Sequence, residues 1–249
     1  MAVTLEMIRS GKQKRPPRIM LHGDPGVGKS TFASGAPDPI FILAEDGVGE
    51  IDTNSFPLAQ SFDEIMEAIK LLYTTEHEYK TVVIDSVDAI EPMIWDAVCK
   101  EHKAKSIEVV LGGYSKGYRE ALTHWKKFLD GLDALRNDVG MNVIMIAHSA
   151  IQHVTPPDTE GYDRRAPKLH KWAVALMEER VDIIGYASEK VLVSVQTGEF
   201  GKKHKRAKTT GERLLHVGKN PAYVSKTRYN TSPVLPLEWS ELEKEINNG

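Results

Sequence analysis

The segment Gly23-Asp24-Pro25-Gly26-Val27-Gly28-Lys29-Ser30 constrains this chain more than any other. It matches the phosphate-loop pattern G-x-x-x-x-G-K-[ST] at every fixed position, with a strand-like run over residues 18–22 before it and a short helical pattern from Lys29 after it. The glycines let the backbone turn inward so that successive N–H groups surround phosphate oxygens, and the helix start that follows adds a favourable dipole. In that setting Lys29 is expected to reach the β- and γ-phosphates of ATP, and the Ser30 hydroxyl to coordinate Mg2+. Thr31 is placed to touch the α-phosphate, and Gly23 through Gly28 form the cradle itself.

A second element belongs with the first. Residues 81–85, Thr-Val-Val-Ile-Asp, are four largely apolar residues ending in an acid, the Walker B pattern. Asp85 is expected to hold the Mg2+ through water. Many ATPases carry a glutamate directly after this aspartate to polarise the attacking water, but here Ser86 stands in that place. The substitute is Glu45, at the end of the apolar run 40–44. A carboxylate at the mouth of a neighbouring strand can accept a hydrogen bond from water aligned with the γ-phosphate. The alternative for Glu45 is a solvated loop acid, as Asp46 and Glu50 are read.

Composition limits the class. The chain has 249 residues, 41% hydrophobic and 27% charged, enough for one large α/β core and too ordinary a balance for a disordered or fibrous protein. Lys and Arg number 32 against 35 Asp and Glu, a formal charge of −3 that excludes a uniformly basic nucleic-acid binder and leaves room for a local basic groove. The lone cysteine, Cys99, forms no internal disulfide and suits a reducing compartment. No apolar run approaches the length of a membrane helix, and Met1 to Ser10 lack the apolar core of a signal peptide. The expectation is a cytoplasmic protein with no membrane partner.

Strands at 18–22, 40–44, 81–85 and 142–147 alternate with helices at 61–72, 90–102 and 118–138, which implies a mostly parallel sheet flanked by helices. Residues 191–197, 213–217 and 222–228 read as antiparallel C-terminal strands, and 238–247 as a last helix. Residues 103–117 and 152–168 read as two long loops, and functional loops of that length are the usual exception to short connections. The expected division is a flexible basic lead-in over 1–17, an ATPase core over 18–235 and a C-terminal helix over 236–249. Residues 202–208, Lys-Lys-His-Lys-Arg-Ala-Lys, concentrate cations that could follow a nucleic-acid backbone or simply face solvent. Tyr114 and Tyr162 could stack on bases from the two loops.

At this point the chain resembles the RecA family. There, a strand after the phosphate-loop helix ends in a catalytic glutamate, and Ala44-Glu45-Asp46 stands where the family's Ala-Glu pair would. A Walker B strand, a DNA-binding loop, a strand ending in a polar sensor and a second DNA-binding loop follow in the family's order at 82–85, 103–117, 143–148 and 152–168. His148 occupies the sensor position in place of glutamine; a purely structural histidine is its other reading. Lys226-Thr227-Arg228 resembles the Lys-x-Arg element of hexameric helicases and related RecA-like ATPases, where two cations reach the neighbouring subunit's γ-phosphate. Two exposed cations discouraging edge pairing are the alternative.

Length, phosphate-loop sequence and the helix start at Gly117-Tyr118-Arg119-Glu120 are most similar to phage-encoded RecA-like nucleotide-binding proteins associated with single-strand annealing and recombination. The resemblance covers about residues 18–233. It implies a RecA-like ATPase that forms a homo-oligomer, ring or filament, and binds single-stranded DNA, with a phage or host single-strand-binding protein as a further partner. Its rivals are an AAA+-like or helicase-loader ATPase acting on a protein, a small-molecule kinase with a lid at 152–168, and a DNA-binding module with negligible turnover.

Overall fold

The computed structural model describes residues 4, 10–11, 14–197 and 203–248, with the backbone alone at 193–197 and 203–209. Its centre is a run of parallel strands in the spatial order β7-β1-β5-β4-β2-β3: β1 is Arg18–Gly23, β2 Pro39–Leu43, β3 Asn54–Ser55, β4 Thr81–Asp85, β5 Asn142–Val154 and β7 Ile183–Thr197. β8, Lys203–His216, lies antiparallel on the outer side of β7, and β10, Val234–Pro236, lies antiparallel on β8. The mostly parallel α/β sheet with antiparallel C-terminal strands therefore forms as its sequence implies. No helix among the described residues is long and apolar enough to cross a membrane.

The apolar runs are continuous because both sheet faces are covered. Met20, Ile42, Val82, Ile84, Val143 and Met145 point to one side, where they meet α2 (Phe62–Thr74), α3 (Val87–Glu101), α4 (Lys116–Ala134) and α5 (Lys171–Arg180). Ile19, Leu21, Phe41, Val83, Ile144 and Ile146 point to the other, against α1 (Lys29–Ser34) and α6 (Trp239–Asn248). Local signals start the helices. Ser61 caps α2 by accepting from the Glu64 N–H at 3.3 Å, and Glu64 in turn accepts from the Gln60 N–H at 2.8 Å.

Several elements differ from the sequence reading. Residues 152–168 are no open loop: β5 runs on to Val154 and pairs antiparallel with β6, Tyr162–Pro167, leaving Pro156, Pro157 and Gly161 in the connection. The strand pattern was masked by polar residues, because this hairpin projects beyond the core. Residues 103–117 contain a 3-10 segment, Ile107–Gly112, anchored by buried Ile107 and Val110. α3 starts at Val87, three residues before the expected position 90, and Pro92 falls in its second turn. Of 222–228 only β9, Lys226–Thr227, pairs with β7. The basic run 202–208 is strand backbone from Lys203 onward; Lys202 lies outside the described residues, as does most of the expected lead-in before Lys14.

Register brings the chemistry-bearing positions to one edge. Gly23 lies opposite His148, Leu43 opposite Asp85 and Asp85 opposite Ile146, so the C-terminal ends of β1, β2 and β4 lie level with residues 146–148 of β5. The other edge is closed by ion pairs. Asp182, with its side chain 7% exposed, accepts from Arg18 at 3.2 Å, Arg136 at 3.2 Å and Arg228 at 3.1 Å. Arg18 also pairs with Asp133 at 2.7 Å. Burial alone would raise the Asp182 pKa, but the Arg18 hydrogen bonds and the Arg18 and Arg136 charges outweigh it and hold the carboxyl below its ordinary value.

Asp182→Asn should therefore destabilise the fold by about 3 kcal/mol near neutral pH, because three guanidinium groups lose their shared counter-charge. The depressed folded pKa means the wild-type advantage is full above the ordinary carboxylate value and is lost as pH falls through the folded one. Denaturant melts of both proteins should converge with acidification; a gap that widens at low pH would contradict this.

Candidate functional site

β1 ends at Gly23, where the chain must pass β7 closely: a Cβ here would stand 2.7 Å from the Ala187 carbonyl oxygen. The loop then turns through Gly28, whose φ of +102° an L side chain rarely adopts, into α1. The Phe32 N–H donates to the Gly28 carbonyl at 2.9 Å, which leaves the N–H groups at the start of α1 facing outward. Asp24 is held from outside the loop by an ion pair to Arg165 of β6.

Lys29 is 6% exposed, and its Nζ donates to the Gly23 and Asp24 carbonyls at 3.2 and 3.1 Å. Burial lowers its pKa, against the opposing charges of Asp85, Asp88, Glu45 and Asp24. The Ser30 hydroxyl donates to Asp85 Oδ2 at 2.6 Å. Asp85 is 3% exposed, and burial raises its pKa against that hydrogen bond and the Lys29 charge. The two groups that sequence assigned to one metal ion thus meet directly across the width of β5.

On the far side of Asp85 stands a row of three residues. His148 donates to Asp88 through its backbone N–H at 2.9 Å and through Nδ1 at 3.0 Å. Glu45 Oε1 lies 3.9 Å from the same Nδ1, outside hydrogen-bond range, with its side chain 35% exposed. Asp88 was missed in the sequence, where the helix was expected to begin at residue 90 and so left Asp88 in the connection before it. Its signal is its position three residues after Asp85, on the first turn of α3.

These residues line one cavity of about 280 Å3, bounded by Pro25, Gly26, Gly28, Lys29, Ser30 and Thr31 on one wall and Glu45, Asp85 and His148 on another. Arg213, from β8, completes it; nothing in the local sequence around Arg213 marks it. Lys226 and Arg228 lie elsewhere. Lys226 is in β9, which pairs with Ile183 and Ile184 at the start of β7, the opposite edge of the sheet, and Arg228 follows that strand. Lys226 Nζ donates to the Glu178 carbonyl, and Arg228 donates to Asp182 and to the Glu179 carbonyl at 2.6 Å. Tyr114 is 93% exposed at the tip beyond the 3-10 segment, away from these groups.

The arrangement suits a polyphosphate. It offers backbone donors, a buried ammonium whose nearest bonded acceptors are two carbonyls, and a hydroxyl–carboxylate pair. No group of three His, Cys, Asp or Glu placed to hold a metal ion exists among the described residues. A Mg2+ here would depend on Ser30, Asp85 and phosphate oxygens, the usual way that ion is held.

Residues 15–229 match the family model described as an AAA domain. The chain belongs to that family. This AAA domain is a P-loop ATPase domain by family, a class that binds and hydrolyses nucleotides in general. It is also 24% identical over 174 residues to the SPbeta prophage-derived uncharacterized protein YorG of Bacillus subtilis (strain 168). That match covers 68% of this chain and 50% of the relative, so this chain spans about half the length of the protein it matches.

Lys29→Ala should weaken ATP binding by about tenfold to 100-fold, since it removes the buried cation from the phosphate cradle. Titration calorimetry measures this; wild-type affinity in the variant would detach the cavity from nucleotide binding.

Proposed function

We propose that this chain is a Mg2+-dependent ATPase that oligomerises and acts on single-stranded DNA in phage-type recombination or annealing. The observation that carries the hydrolytic part is the convergence of Lys29, the Ser30–Asp85 pair and Glu45 on one cavity. Glu45 is the base: it is the carboxylate that faces the cavity without a hydrogen-bonded partner of its own among the described residues, so it is free to orient a water molecule. Lys29 carries the positive charge that the transferring phosphoryl group needs. When bound, Mg2+ neutralises charge on the β- and γ-phosphate oxygens, and Ser30 and Asp85 would hold it. Asp88 fixes the His148 ring through Nδ1, which leaves Nε2 to meet ligand or water and suits a sensor of the terminal phosphate.

The DNA reading is supported by the RecA-like order of elements and by the prophage origin of the relative. The β5–β6 hairpin supports it too, because it continues directly from His148 and would carry a change at the sensor outward. Lys226 and Arg228 are the cations proposed to serve a neighbouring subunit; they can do so only by exchanging their present partners at Glu178, Glu179 and Asp182. Membership of the AAA domain family favours a second reading, an ATPase that works on a protein partner.

Glu45→Gln should keep ATP binding and lower turnover by about 100-fold or more, since the amide keeps the shape and cannot take a proton. Normal hydrolysis in that variant would remove Glu45 from the mechanism. Single-stranded DNA added to the wild-type protein should raise its turnover. A rate that DNA leaves unchanged would favour the protein-partner reading.

A further inference from the structure

Arg213 reaches the phosphate cradle from the side that none of the expected site residues occupies. The strand order β8-β7-β1-β5-β4-β2 puts Glu45, Asp85 and His148 on one flank of the phosphate-loop strand and Arg213 on the other. Its guanidinium lies directly over Gly28: a Cβ added there would stand 2.7 Å from Nη1 and 3.4 Å from Cζ. The side chain thus packs where the cradle turns, and it lines the same cavity as Lys29, Ser30 and Thr31.

Its backbone is held on both sides. Arg213 faces Glu189 of β7, its carbonyl accepts from the Leu237 N–H at 3.0 Å, and Leu215 two residues on is fully buried. The neighbouring acid on β8, Glu212, is engaged by Lys190 at 2.7 Å. Among the described residues the Arg213 guanidinium has neither an ion-pair partner nor a side-chain hydrogen bond, although Asp182 at the other edge gathers three guanidinium groups. A fork of donors fixed over a phosphate loop and without an acceptor of its own is matched by phosphate oxygens, which it can bond in pairs.

We propose that Arg213 is a phosphate-binding residue of this site, gripping the α- and β-phosphates of the nucleotide bound by its own chain. The assignment rests on the ATP-site reading above. The α/β end is chosen because Arg213 sits over Gly28, on the flank of the phosphate-loop strand opposite Glu45, whose water must meet the γ-phosphate. A cation there belongs to nucleotide affinity rather than to the reacting bond.

The test is calorimetric titration of ATP, ADP and inorganic triphosphate into wild-type protein, Arg213→Ala, Arg213→Lys and Lys29→Ala. Arg213→Ala should weaken all three ligands by a similar factor, about tenfold. Arg213→Lys should recover part of that loss, because the ammonium keeps the charge and loses the fork. Unchanged affinity in Arg213→Ala would overturn the proposal. So would a loss confined to ATP, which places the guanidinium at the γ-phosphate, or a loss that spares triphosphate, which places it on the base. If wild-type protein binds no ATP, or binds it no better than Lys29→Ala, the ATP-site reading itself fails, and that result is distinct from a change at Arg213 alone.

Discussion

The contact between Ser30 and Asp85 depends on three parallel strands holding one register. Ser30 follows β1, Asp85 ends β4, and β5 runs between them; the hydroxyl still reaches the carboxylate at 2.6 Å. A slip of one residue in either pairing would swap the side chains of β1 or β4 between the two cores and move the strand's end by about 3.3 Å. The alternation of the two apolar cores across the sheet resists that slip. Met20, Ile84 and Met145 belong to one side, Leu21, Val83 and Ile146 to the other, and every one is buried. The core therefore fixes more than stability: it sets where Asp85 stands at the end of β4.

The electrostatics of the cavity follow from that burial. Lys29 has its pKa lowered and Asp85 has its pKa raised, each chiefly by loss of water. Opposite shifts with one cause mean that each charge is short of what it would have in solvent. Phosphate oxygens beside Lys29 and a divalent cation beside Asp85 would both relieve this. Arg165 neutralises Asp24 at the mouth of the loop, and His148 is tied to Asp88. The charges left facing the cavity are thus Lys29, Arg213, Asp85 and Glu45, two of each sign.

How far the sequence carries this varies by element. The phosphate loop and the Walker B strand are legible because their constraints are local: a glycine at positive φ, a lysine one residue on, an acid at the end of an apolar run. The outer part of the hairpin over residues 149–167 was hidden, since beyond buried Ala166 the ribbon leaves the core and no buried face imposes alternation on Gln152, His153, Asp163 and Arg164. Asp88, Arg165 and Arg213 were illegible for another reason. Each acts on a residue more than fifty positions away, through strand order and register that no local pattern encodes. Lys226 and Arg228 show the converse: a motif read locally as facing a partner's nucleotide is bonded in this chain to α5 carbonyls and to Asp182.

If Ser30 and Asp85 form the protein half of a metal–nucleotide site, as we propose, ATP binding must be coupled to Mg2+. The dependence of ATP affinity on Mg2+ tests it most directly, measured by calorimetry on wild-type protein and on Asp85→Asn with and without the metal. Wild-type affinity should rise by about tenfold or more when Mg2+ is present, and Asp85→Asn should lose most of that gain, because a neutral amide holds a hydrated cation poorly. ATP affinity indifferent to Mg2+ in the wild-type protein, or an equal metal response in Asp85→Asn, would contradict it.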